Sequence, residues 1–255
     1  MHDYRDVLFE GHAPEPDDHL LEDLRRKMRE TKAHIGIATY GDRFGIVDEE
    51  GTFFQPNYII ARLSDYLVES RGWRKGVGKS VATTNLALAR YHKVELRETP
   101  VGFKYIGEPI KQGKISIGEE ESAGLSIRYH VPEKMARWRD SCAVRWWRGK
   151  PLGRQLQELF SKVGSFCPQR EKFRLTAEVK EKFTEKLPRE FFGRKIGEVV
   201  RKDGLKLVFD DRFGVCSRVS GTEPVVRVYS EAASASELSS QAPTRNNGFS
   251  SRDAL

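Results

Sequence analysis

The apolar positions of this chain change period along its length. Leu20, Leu21, Leu24 and Met28 recur at helical spacing behind a Pro-Asp-Asp start signal and predict an amphipathic helix over 20–32. HIGIAT (34–39) reads as a short buried strand, GDRFG (41–45) as a turn, and IVDEEGTFF (46–54) as a hairpin-like pair around Glu50 and Gly51. Pro56 opens a second amphipathic helix that the pattern carries to 67. A strand at 78–82, a helix at 84–91, a strand at 93–98, a helix near 103–111 and a strand at 114–117 follow. Strands alternating with helices predict an α/β layered domain, placed at 46–160, with 1–45 belonging to a preceding unit.

From Cys167 the pattern changes. A helix at 176–187 is followed by IGEVV, LKLVF, GVCSRV and VVRVYSEA, separated by Asp203-Gly204 and Asp211-Arg212. Consecutive strands after a helix predict a smaller α+β domain with an antiparallel sheet, placed at 165–235. Residues 236–255 are polar, Ser-rich and aperiodic, and are expected to be a disordered tail. No internal repeat is present.

Composition narrows the class. The 255 residues are 38% apolar and 32% charged, which fits a soluble globular protein and excludes a fibrous or wholly disordered one. No apolar run approaches the ~20 residues of a membrane span, and the charged N-terminus lacks a signal-peptide core, so a cytoplasmic protein is expected. Cys142, Cys167 and Cys216 are widely spaced and form no CxxC pair, so reduced thiols are expected rather than a metal site. The net charge of +7 suggests an anionic partner, either nucleic acid or a phosphorylated small molecule. The basic residues alternate with acids, as in LEDLRRKMRETK, which is the pattern of solvated helix faces rather than of one binding stripe.

Several segments can carry chemistry. GVGKS (76–80) invites a phosphate-loop reading, but that motif needs a glycine where Trp73 stands; the segment reads instead as the start of a buried strand. RVSGTEPVVRV (218–228) places Ser220, Gly221 and Thr222 between two strands, flanked by Arg218 and Arg227. Two hydroxyls, a run of backbone amides and two guanidinium forks suit a phosphate, although an ordinary hairpin turn would use the same small residues. IGEEESAGLS (117–126) sets three carboxylates and Ser122 after a strand. These can accept from sugar hydroxyls, or the acids can open a helix. Lys104, His130 and Lys134 are isolated basic residues of the kind usually found on surfaces, and Asp42 is a lone turn acid.

Together GDRFGIVDEEG, SVATTN, ETPVGFKYIG, GEEESAGLSIRYHVPEK and RVSGTEPVVRVY resemble, in order and spacing, the α-D-phosphohexomutase family of phosphoglucomutases and phosphomannomutases. The resemblance covers roughly residues 1–235 and the C-terminal half of the family pattern. It implies a four-domain isomerase of carbohydrate metabolism. A phosphoserine there exchanges phosphate with a hexose phosphate beside Mg²⁺. On that resemblance Glu120 and Ser122 match the sugar-binding loop. Arg218, Ser220, Gly221, Thr222 and Arg227 match the phosphate-binding loop, and Lys104, His130 and Lys134 match substrate-facing basic residues. The implied division is a remnant of domain 2 (1–45), domain 3 (46–160), domain 4 (165–235) and the tail.

Three departures follow. No segment of the 255 residues matches the family's TASHNP-type serine loop. The DGDADR metal loop is Tyr40-Gly41-Asp42-Arg43 here, a single carboxylate that should hold Mg²⁺ weakly. After Lys134, where the family continues with an apolar helix, the chain reads MARWRDSCAVRWWRGK. Codons for Asp-Gly or for Glu-Met-Val-Ala-Arg, read one base later, yield Met135-Ala136 and the residues at 145–149, so a local frameshift is the preferred reading, to be decided by the gene sequence. The chain alone is therefore expected to lack mutase turnover, with a separate upstream chain as a candidate source of the missing parts. The alternatives are a non-catalytic sugar-phosphate-binding or regulatory protein and, less favoured, a nucleic-acid binder using the Trp/Arg stretch 135–148.

Overall fold

The structure is a computed structural model, and it describes residues 7, 11, 16–40, 43–82, 86–134, 149–175, 177, 190–191, 194–209, 214–221 and 223–241. Asp42, Thr222, the stretch 135–148 and most of the helix expected at 176–187 lie outside the described residues.

The first unit is a helix on a small antiparallel sheet. Helix α1 (Glu22–Thr31) closes on Lys32, whose left-handed backbone takes a C-cap bond from its amide to Arg29 O. Strands β1 (Ile35–Tyr40), β2 (Arg43–Asp48) and β3 (Phe53–Phe54) follow in that order across the sheet. Leu21 and Met28 bury against Val47, which fixes α1 to the sheet. GDRFG is thus not a turn throughout. Arg43, Phe44 and Gly45 begin β2, because buried Phe44 and Ile46 share one face of the strand. A domain limit at 45/46 would cut this strand; the change of layer falls after β3. The run HIGIAT is half-buried rather than buried, since only Gly36 is fully covered among residues 35–39.

The layered unit begins at Pro56, which sits at the first position of α2 (Pro56–Arg71) as its fixed φ and missing N–H favour. The helix runs to Arg71, four residues beyond the expected stop, and Gly72 caps it in the left-handed conformation. Strands β4 (Val77–Ser80), β5 (Leu96–Thr99), β6 (Ile117–Glu120) and β7 (Gly124–Ile127) form one sheet in the order β5-β4-β6-β7, with β4 parallel to β5 and β6 and β7 antiparallel to β6. Helices α3 (Leu86–His92) and α4 (Lys104–Lys111) make the crossovers. Leu63, Leu67 and Val68 of α2 pack on Val77, Ile117 and Leu125, while Ile106 and Ile110 of α4 sit over Gly118 on the other face. A further helix, α5 (Leu152–Val163), packs Leu159 against Ala61 and Leu88, backed by Tyr58, Phe160 and Phe166.

The last unit is built on β8 (Cys167–Arg174), β11 (Glu198–Val200), β12 (Leu205–Val208), β13 (Gly214–Val219) and β14 (Val225–Ala232), with the short pair β9 (Glu190–Phe191) and β10 (Arg194–Lys195) beside them. The five longer strands form an antiparallel sheet of order β11-β12-β13-β14-β8. One face carries Phe173, Val215, Val226, Val228 and Ala232 and forms this unit's core. The other face carries Lys206, Arg218, Arg227, Tyr229, Glu231, Lys172 and Arg170, which register places side by side. That charged face turns toward the layered unit, where Cys216 and Tyr229 pack with Val81, Ala82 and Val101.

The expected disordered tail is corrected at its start. Residues Ala235–Gln241 form helix α6, whose Leu238 is buried in the last unit's core and whose first-turn backbone is tied to Ser234 and Glu237. A single core residue offers no periodicity to read, so tertiary burial overrides a poor local signal. Among the described residues no helix is long and apolar enough to cross a membrane. Leu238→Ala should lower stability by about 2–3 kcal/mol, at the lower end of core truncations because the helix is terminal. Urea denaturation checks this. An unchanged midpoint would mean that α6 does not dock.

Candidate functional site

The two motifs singled out above lie on the two sheets that face one another. Glu120 ends β6, Glu121, Ser122 and Ala123 make the turn, and Gly124 begins β7. The acids do not open a helix; they belong to a strand and its hairpin. Alternation along the strand separates them. Glu119, fully buried, accepts from Ser64 Oγ of α2 at 3.2 Å. Glu120 points the other way. Its Oε1 accepts from the amide of Gly102 at 2.8 Å and its Oε2 pairs with Lys134 Nζ at 2.9 Å. Glu121 accepts from Ser80 Oγ at 3.2 Å. Ala123 has φ 66°, uncommon for a residue with a Cβ, which marks the turn as locally strained. Gly124 is needed beside it, because a Cβ there would stand 2.9 Å from Glu120 Oε2 and 3.1 Å from Lys134 Cε. Lys134 therefore meets Glu120 directly. Lys104 is exposed, with its ammonium 4.9 Å from the centre of the Tyr105 ring, and His130 is half-buried.

On the opposing sheet, Arg218 and Arg227 are direct cross-strand partners, and Lys172 is the next neighbour of Arg227 on β8. Three cations thus stand in one row. Acids from the loops answer them. Glu223 pairs with Arg227 and lies 3.8 Å from Lys172, and Asp203 Oδ2 accepts from Arg218 Nε at 3.2 Å. Ser220 is buried; its amide donates to Val225 O at 2.9 Å and its Oγ accepts from the amide of Glu223 at 3.3 Å. Gly221 is exposed, with open space where a Cβ would be. The row plus this loop can hold an anion by exchanging the Glu223 contact for one to the ligand.

Between the sheets is a cavity of about 560 Å³. Arg43, Lys79, Glu121, Ser122, Tyr229 and Glu231 are among the residues that line it. Lys79, the lysine of GVGKS, is buried in β4 and pairs with Glu98 at 2.8 Å, and Lys206 of β12 pairs with the same Glu98 oxygen. Burial, with Lys206 close by, lowers the Lys79 pKa against the pull of Glu98. Although burial pushes the Glu98 carboxyl up, the Lys79 and Lys206 ammoniums outweigh it and hold it below the ordinary range. Glu231 has no such pairing strong enough. Its burial raises its carboxyl to about 7 in spite of Lys79 and Lys206. Tyr229 Oη is buried, and burial together with the Glu121 carboxylate raises its pKa.

Lys79, Asp203, Lys206, Tyr229 and Glu231 are absent from the sequence-derived site. Asp203 carries a signal as the Asp-Gly turn mark, Lys79 lies in the GVGKS segment set aside as a nucleotide motif, and Tyr229 ends the RVSGTEPVVRVY segment. The rest reach the site through sheet pairing that one sequence does not disclose. Ser122 lines the cavity, while Glu120, Lys104, His130, Arg218, Ser220 and Arg227 do not. For a divalent cation, residues 40–43 supply one carboxylate, Asp42, followed by an arginine. Mg²⁺ wants an octahedron of about six oxygens usually built on more than one acid or phosphate, so this donor set does not fit it. The described residues contain one cluster of metal-ligand type, Asp65, Glu69 and His92. It lies among α2, α3 and α5, where Lys162 and Arg62 already neutralise the carboxylates.

Residues 55–163 match the family model described as phosphoglucomutase/phosphomannomutase, alpha/beta/alpha domain III, and residues 167–245 match that of the C-terminal domain of the same family. Among curated relatives, a phosphoglucomutase/phosphomannomutase of Thermococcus kodakarensis is 27% identical over 242 residues, 90% of this chain and 50% of the relative. A phosphoglucosamine mutase of Novosphingobium aromaticivorans is 30% identical over 230 residues, 86% of this chain and 47% of the relative. The crystal structure of a protein assigned as a phosphomannomutase from Thermus thermophilus superposes with a TM-score of 0.75 at 28% identity, covering 92% of this chain and 50% of that one. The chain spans about half the length of the curated relatives it matches.

The ionisation of Glu231 has a measurable consequence. Its folded pKa lies above its unfolded value, so the native state holds a proton that the unfolded state releases. Stability is then highest below about pH 4.5 for this group and falls as pH rises toward 7, by up to about 3 kcal/mol. Glu231→Gln should flatten that part of the stability-pH profile relative to the parent chain, measured by urea denaturation from about pH 5 to 8. Parallel profiles would contradict the assignment.

Proposed function

The chain belongs to the phosphoglucomutase/phosphomannomutase family, and from that premise we propose that it supplies the sugar- and phosphate-recognising half of a hexose-phosphate mutase cleft. The observation that supports this reading is the connection of two loops, hairpin to arginine row, through Gly102, Val101 and Asp203. The hairpin at 120–124 offers carboxylate and hydroxyl acceptors suited to sugar hydroxyls. The row of Arg218 and Arg227 beside the turn at 220–221 offers donors suited to a phosphate. A hexose phosphate presents both chemistries on one small molecule, and a basic cleft suits its charge.

The reaction of the whole protein would move a phosphoryl group between two hydroxyls of the sugar. In such transfers positioning and electrostatic stabilisation do most of the work. The residues here would do the positioning: Ser122 at the cavity wall, Lys134 held by Glu120, and the guanidiniums of Arg218 and Arg227 on the non-reacting phosphate. Residues 40–43, with Asp42 as their one carboxylate, do not fit Mg²⁺. None of the 255 residues matches a phosphoserine loop, so residues 1–255 alone bind without turning over, and turnover needs that loop from elsewhere in the same polypeptide or from another chain.

Calorimetric titration of the 255-residue chain with glucose 1-phosphate should give saturable binding. Arg218→Ala should weaken it roughly tenfold or more, as expected for losing a hydrogen bond to a charged group. A coupled glucose-1-phosphate assay should show no turnover above background. Absence of binding, or robust turnover by this chain alone, would contradict the reading.

A further inference from the structure

The two recognition loops belong to different sheets, and one short segment touches both. Val101 and Gly102 are consecutive residues in the loop between β5 and α4. The amide of Gly102 donates to Glu120 Oε1 of the sugar-loop hairpin at 2.8 Å. The amide of Val101 donates to Asp203 Oδ2 of the last unit at 2.9 Å, and the same oxygen accepts from Arg218 Nε at 3.2 Å. The contacts form one line: Lys134, Glu120, Gly102, Val101, Asp203, Arg218. Both carboxylates are shielded, with Glu120 at 2% and Asp203 at 25% side-chain exposure, so the links are less weakened by solvent than surface pairs.

Asp203 is placed there by backbone rather than by chance. It occupies the turn between β11 and β12, followed by Gly204 at φ 85°. A Cβ on Gly204 would stand 2.3 Å from Ser217 O and 2.8 Å from Arg218 Cβ, so only glycine lets the turn lie against β13 beside Arg218. A second strut runs parallel: Lys202 Nζ donates to Glu98 O at 2.8 Å, and Lys206 pairs with the Glu98 carboxylate. Asp203 engages Arg218 through Nε, which leaves the two terminal nitrogens outside this contact.

We infer that Asp203 is a positioning residue that fixes the span between the sugar-loop hairpin and the phosphate-binding arginine, so that the two ends of one hexose phosphate are gripped together. This rests on the hexose-phosphate reading above. A ligand that bridges two sites gains from the second contact only when their separation matches its length. Inorganic phosphate uses the arginine row alone and gains nothing from a fixed span. The two ligands therefore separate positioning from simple support of the phosphate site.

The test is calorimetry with glucose 1-phosphate and with inorganic phosphate on the 255-residue chain and on Asp203→Ala. The parent chain should prefer the sugar phosphate. In the variant this preference should fall by about tenfold, with the affinity for inorganic phosphate changed less than about threefold. Should Asp203→Ala fail to fold by circular dichroism, Asp203→Asn keeps the size and one acceptor and should lose about threefold of the preference. An unchanged preference, or an equal fall for both ligands, overturns the positioning role while leaving the functional reading intact. A parent chain with no preference for the sugar phosphate overturns the functional reading and this inference with it.

Discussion

A sheet face lined with cations can approach another sheet only if acids meet it, and Glu98 is the acid on which this approach depends. It stands at the end of β5 with Lys79 of its own sheet on one side and Lys206 of the facing sheet on the other. Leaving either ammonium buried and unpaired would cost several kcal/mol. Its backbone oxygen takes Lys202 as well. Asp203 and Glu223 play the same part for Arg218 and Arg227, and Asp17 lies 3.6 Å from Arg170 at the rim. The apolar contribution of the junction is small by comparison, Val81, Ala82 and Val101 against Cys216 and Tyr229. Charge matching therefore sets how the sheets meet, and the cavity between them is the space that matching leaves.

This arrangement explains what could be read from residues alone. Helices α1 and α2 and strands β12, β13 and β14 are visible because each has an apolar face against a core. Helix α5 carries an apolar stripe in Leu152, Leu156, Leu159 and Val163. Strand β8 is illegible for a physical reason. CPQREKFR turns its charged positions toward the other unit, and Phe173 is nearly its whole contribution to the core. The three glutamates at 119–121 look like one acidic patch in a line of text. The strand's alternation makes them three separate devices, one tied to α2, one to Gly102 and Lys134, one to Ser80 and the cavity. Lys79 reads as the end of a failed nucleotide motif and proves to be the buried half of an ion pair.

The matched models cover the sheet unit with the hairpin at 120–124 and the sheet unit with the Arg218 and Arg227 row, and the chain spans about half of its curated relatives. Within that half, residues 40–43 offer one acid, Asp42. The amides of Val101 and Gly102 join the hairpin at 120–124 to the turn beside Arg218.

The most direct measurement is an amide-resolved NMR titration of the 255-residue chain with a hexose phosphate. The account predicts that the amides of Ser122, Gly102, Val101, Ser220 and Gly221 shift along one saturation curve with a single dissociation constant. Shifts confined to one loop, or two curves with different midpoints, would contradict a single ligand spanning the two sheets.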